Sequence, residues 1–156
     1  MPGQYVNLAV GRRTGVLIAL LLAVAGIWAS AAVDQAKAAA FSESANLHKI
    51  SKNGASFVER GPATGTYAGS LTLYLTTTPN GVRFRMRGVN ASGSLVGAGA
   101  ASITSHGKIG IVDGKASFTG GTGKFDGADG SGLSITGKFN RETYALQVTI
   151  SGDLDF

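Results

Sequence analysis

The chain has 156 residues, enough for one domain, with 44% hydrophobic and only 15% charged residues. The absence of cysteine excludes a disulfide framework, a lipidated N-terminal cysteine and thiolate metal sites. Arg12 and Arg13 are two of the 14 basic residues and precede all nine acidic ones, so the net charge of +5 becomes +3 without them, short of a nucleic-acid-binding composition.

Those two arginines lead into an apolar run over residues 16–28 and then Ala29-Ser30-Ala31, the three regions of a secretory signal peptide. The run is shorter than the ~20 residues of a spanning helix. Residues 1–31 are therefore expected to be a cleaved signal, with an uncleaved anchor over residues 15–33 as the rival. Ala36-Lys37-Ala38 is a second possible cleavage site. The expected location is secreted or periplasmic, or membrane-anchored if the segment stays. The alanine-rich stretch 32–46 reads as a mobile or partly helical linker, which puts the folded domain at 47–156.

Asn53-Gly54 signals a hairpin between residues 47–52 and 55–59. The next hairpin is the clearest. Leu71, Leu73 and Leu75 alternate with Thr72, Tyr74 and Thr76, and Val82, Phe84 and Met86 alternate with Arg83, Arg85 and Arg87. Thr78-Pro79-Asn80-Gly81 supplies the turn. Pairing Thr77 with Val82 sets Leu75 opposite Phe84, Leu73 opposite Met86 and Tyr74 opposite Arg85. One face is then apolar and the other cationic. Residues 93–105 are small on both faces, with Gly97, Ala98, Gly99, Ala100 and Ala101 in succession. They leave room for large neighbours such as Phe84 and Met86, or for a ligand cavity. Ile109 and Ile111 lead to an expected turn at Asp113-Gly114. A last hairpin joins Leu133, Ile135 and Phe139 to Leu146, Val148 and Ile150 through Asn140-Arg141-Glu142, and Leu154 and Phe156 carry that phase to the C-terminus.

Twenty of the 24 glycines lie from Gly54 onward. They are densest over residues 118–132, where Phe118 and Phe125 flank Gly120, Gly121 and Gly123. Glycines inside a strand pattern mark bulges, corners or close backbone approaches, and all three could adopt positive φ. A P-loop is excluded because Phe118 holds its first glycine position and Phe125 follows Lys124. A dinucleotide fingerprint starting at Gly121 meets Asp126 where its last glycine belongs.

Gly-Gly-Thr-Gly-Lys-Phe followed by Gly127-Ala128-Asp129-Gly130 resembles the signature of the allene oxide cyclase and dirigent barrel group. It is most similar to short secreted bacterial proteins with a G-G-T-G-x-F-x-G-A-x-G-S pattern. The likeness covers residues 113–156 well and 66–112 loosely. It implies an eight-stranded antiparallel barrel with a hydrophobic interior, and its plant members include a cyclase and proteins that steer radical coupling. Dirigent proteins commonly carry a functional arginine where this chain has Asp129, so that role does not transfer.

Catalytic motifs are sparse. His48 and His106 lack a spaced third ligand for zinc, and no serine sits in a G-x-S-x-G elbow. Asp126, Asp129, Asp153 and Asp155 group near the glycine corner and the last strand, where alternation with Leu154 and Phe156 turns the last two toward water. Arg83, Arg85 and Arg87 are either a solvated row that discourages edge pairing or a site for an acidic polysaccharide or lipid surface. Candidate residues for a small apolar ligand are Phe84, Met86, Gly97, Gly99 and Ala101. Phe118, Gly120, Gly121, Gly123 and Phe125 are the structural motif. The expectation is an exported all-β protein, a small antiparallel eight-stranded barrel that binds an apolar ligand, with no catalytic residue, metal or cofactor. The alternatives are a cyclase-like enzyme acting on a lipophilic substrate and a surface protein with a filled core.

Overall fold

The computed structural model describes residues 38–156. The signal-peptide reading lies outside them. Eight antiparallel strands, each paired with the next, form a closed barrel: β1 (Ala39–Asn53), β2 (Ser56–Gly65), β3 (Gly69–Thr78), β4 (Gly81–Asn90), β5 (Gly93–His106), β6 (Ile109–Gly123), β7 (Gly130–Asn140) and β8 (Leu146–Leu154). β8 returns to pair with β1 from Ala39 opposite Leu154 to Leu47 opposite Leu146, so no strand is left as an edge.

Period-two alternation explains the wall. On β4, Val82, Phe84 and Met86 point inward and are buried, while Arg83, Arg85 and Arg87 point out. The β3–β4 register is the expected one, and pairing continues to Thr78 opposite Gly81, leaving Pro79 and Asn80 as the turn. Leu133 and Ile135 on β7 and Val148 and Ile150 on the adjacent β8 are buried on the same inner face, with Ile135 opposite Ile150. The inner face is apolar and the outer face mostly polar, the inverse of a barrel whose outer wall faces lipid.

Two expectations about chain course are corrected. Residues 39–46, read as linker, are the first half of β1. Phe41, Glu43, Ala45 and Leu47 alternate inward there, and the ladder to β8 fixes an alanine-rich segment that has little strand preference of its own. Asp113-Gly114 is not a turn but the middle of β6, opposite Ser102 and Ala101. A side chain at Gly114 would collide with the Ala100 carbonyl oxygen, so this glycine serves a close strand approach. The chain turns instead at Gly107 (φ +61), and Ile109 and Ile111 face outward.

The glycine corner seals one end. Gly120 (φ +149) and Gly123 (φ +65) have positive φ, whereas Gly121 does not. Gly121 is required for space, because a side chain there would run into the carbonyl oxygens of Ser94 and Phe125. The corner folds Phe125 back so that its ring lies 4.8 Å from Tyr67 and 5.3 Å from Phe156. Phe118 packs edge-on to Phe41 at 5.2 Å. The Tyr67 hydroxyl donates to the Gly93 carbonyl at 2.9 Å, which ties the β2–β3 loop across this end. The terminus is held by a two-way backbone bridge between Asp129 and Asp155, with Leu154 buried and Phe156 partly exposed.

Candidate functional site: the open half of the barrel

The opposite end is open. A cavity of about 270 Å³ enters between the β1–β2, β3–β4, β5–β6 and β7–β8 turns. Its walls are Leu73, Leu75, Val82, Phe84, Ile103, Val112, Ile135, Phe139, Leu146, Val148 and Ile150. Beneath the plug at the other end, only about 10 Å³ remains. The barrel is therefore a cup, filled below and hollow above.

The small residues of β5 explain the shape. Gly97, Gly99 and Ala101 face inward, and Ala98 and Ala100 face out. A Cβ at Gly97 would meet Met86 Cε at 2.7 Å, and one at Gly99 would meet Phe84 Cζ at 2.5 Å. The glycines thus make room for those two side chains, and the hollow lies beyond them. Of the five residues expected to bind a ligand, Phe84 and Ala101 line the cavity. Met86 is buried in the filled half, with Gly97 behind it and Gly99 behind Phe84, so these three shape the wall from outside the hollow.

Sequence reasoning missed Glu59. It is 2% exposed, lines the cavity, and its Oε2 has no hydrogen-bond partner. Desolvation raises its pKa from 4.5 to about 7, against a smaller opposing effect of the Lys49 charge. The local signal is slight, that Glu59 follows Phe57 by two residues; pairing with Leu73, an inward position, is what fixes its phase. Glu43 is a second inward glutamate, in the plugged half. Its Oε2 accepts the Tyr67 N–H at 2.9 Å and its Oε1 is unpartnered. Burial raises its pKa, outweighing the backbone hydrogen bonds from Tyr67 and Ala68.

The mouth is aromatic and cationic. Tyr144 (φ +57) sits in the β7–β8 turn with its ring 6.1 Å from Phe139 and 6.2 Å from Phe57. Lys49 Nζ lies 3.6 Å from the Tyr144 ring centre, and Lys52 approaches both Tyr144 and Phe57. Arg141 donates to Ser105 Oγ at the rim, and Lys108 pairs with Glu142 at 2.8 Å. A polar group entering the cup passes cations first and a protonatable carboxyl further in.

The remaining candidates lie elsewhere. Arg83, Arg85 and Arg87 are on the outer wall. Asp126, Asp129 and Asp153 are exposed at the plugged end, and Asp155 is half-buried with its Oδ1 unpartnered. His48 is outward on β1 and His106 ends β5. Among the described residues no group of three acidic or histidine side chains is placed to hold a metal ion. No protein-family model, curated protein or solved structure matches this chain.

Proposed function

We propose that the protein is an exported, non-enzymatic binding module that takes a small apolar molecule into the open half of the barrel. The cavity is the observation that supports this reading. Interiors pack to near crystal density, so an apolar hollow of about 270 Å³ at the mouth of a closed barrel is a space kept for an occupant. The resemblance to the cyclase and dirigent barrels supports the same reading, and a surface protein with a filled core would have no use for the hollow. Titration with an apolar, environment-sensitive fluorophore is expected to saturate. Leu75→Trp, which adds a ring at the cavity wall, should weaken binding at least tenfold and leave the melting temperature within a few degrees. Absence of saturable binding to the folded wild type would sink the proposal.

Glu59 favours a second reading, a cyclase-like enzyme. A carboxyl held near neutrality in an apolar pocket can donate a proton to an oxygen of a lipophilic substrate. Glu59→Gln would then retain probe binding and lose turnover.

A further inference from the structure

The outer wall carries a feature that the cavity does not use. Arg83, Arg85 and Arg87 point outward along β4, about 6.8 Å apart at two residues of strand rise. Arg60 extends the set on the row Arg60–Thr72–Arg87, where its Nε donates to Thr72 Oγ1 at 3.0 Å. Lys115 extends it on the row Arg83–Ala100–Lys115. No carboxylate faces outward on β2, β3, β4 or β5, since Glu59 points into the cup. The nearest acid along β6 is Asp113, opposite Ser102. Among the described residues the one ion pair joins Lys108 to Glu142, at the mouth.

Protection of a strand edge does not explain this row. β4 is hydrogen-bonded to β3 on one side and β5 on the other, so it has no edge to defend. The surface beside it is also shaped. Ala98 and Ala100 face outward next to Arg85 and Arg83, and their short side chains leave shallow depressions beside those two guanidinium groups. One depression takes in Tyr74, Arg85, Arg83 and Ala98, and a second runs from Arg83 and Ala100 to the β3–β4 turn, with Arg83 common to both and Arg87 beyond them on the same face. Tyr74 stands opposite Arg85 and is 46% exposed.

We propose that this outer face of β4 binds a linear anionic glycan, with uronate or sulfate groups on Arg83, Arg85 and Arg87 and a sugar ring stacked on Tyr74. Guanidinium forks match planar carboxylates and sulfates bidentately, and they lose less hydration than ammonium groups. An exposed aromatic face takes the C–H side of a pyranose while its hydroxyls stay in water. A flexible chain laid along β4 reaches all three arginines. A flat bilayer touches a convex barrel wall over only part of that length, and the outward neighbours of Arg85 and Arg83 on β5 are alanines rather than large apolar side chains.

Calorimetric titration of the full mature chain with polygalacturonate and with dextran sulfate tests the proposal. Neutral dextran and phosphatidylglycerol vesicles serve as comparators. Saturable binding to at least one anionic glycan is expected, weakening as salt rises because the charges are exposed. Replacing Arg83, Arg85 and Arg87 together with Gln should lower affinity at least tenfold without changing apolar-probe binding in the cup. If that triple variant does not fold, Arg85→Gln alone should show a smaller loss. Tyr74→Ala should weaken glycan binding several-fold and Tyr74→Trp should restore it. No saturable glycan binding at low salt, unchanged affinity in the arginine variants, indifference to Tyr74→Ala, or binding to the vesicles without binding to glycan would each overturn the assignment.

Discussion

Glu59 shows how the barrel's shape changes the chemistry of one side chain. Its carboxyl is neutral in both folded and unfolded chains below about pH 4.5. Between 4.5 and about 7 the unfolded chain gives up the proton while the folded chain keeps it, so stability falls as pH rises. Above about 7 the whole contribution is gone, a loss of about 3 kcal/mol. Wild-type melting temperature should therefore drop across that window, and Glu59→Gln should remove most of the drop. Glu43, raised in the same direction, leaves the remainder. Equal slopes for wild type and variant would show that Glu59 is solvated. An apolar occupant dehydrates the cup further and selects the neutral form, so probe affinity should decline above about pH 7 in wild type and stay level in Glu59→Gln.

At the scale of an element, the glycine corner at the end of β6 decides whether the lower half is filled. Gly123 needs its positive φ and lies against the Ser92 carbonyl oxygen, while Gly121 needs room beside Ser94 and Phe125. Gly121→Val and Gly123→Val are each expected to destabilise the fold by about 1 to 3 kcal/mol, read from thermal melts. Gly120 has open space around its Cβ position, so Gly120→Ala should cost only its backbone strain and be the mildest of the three. Wild-type melts for both valine variants would mean that the corner can rearrange without releasing Phe125. The β3–β4 and β7–β8 hairpins were readable because turn residues and alternation agree there. β6 was misread because Asp113-Gly114 has the composition of a turn, while the contact that requires Gly114 comes from β5, which local sequence does not show.

At the scale of the molecule, closure depends on β1. Residues 39–47 pair with β8 and residues 43–53 with β2, so one strand joins the two ends of the sheet. Deleting residues 39–47 should leave β8 and part of β2 as unpaired edges beside an opened apolar interior. The expected result is loss of cooperative melting and association on size-exclusion chromatography. A truncated chain that stays monomeric with the wild-type melt would show that the barrel closes without this strand.

The sequence by itself determined the strand class, the β3–β4 register and the apolar lining, because those follow from alternation and turn chemistry within a few residues. It also marked Phe118, Phe125 and the glycines between them as a corner, and it singled out the arginine row. Only the tertiary structure decided which half of the barrel is hollow. That outcome depends on how far each ring reaches across the interior: Phe125 and Tyr67 meet at one end, while Phe57, Phe139 and Tyr144 stand around an opening at the other. Glu59 entered the site for the same reason. Its inward phase is set by the partner strand, and its burial by strands distant in sequence, such as β7 and β8, whose side chains line the same cavity.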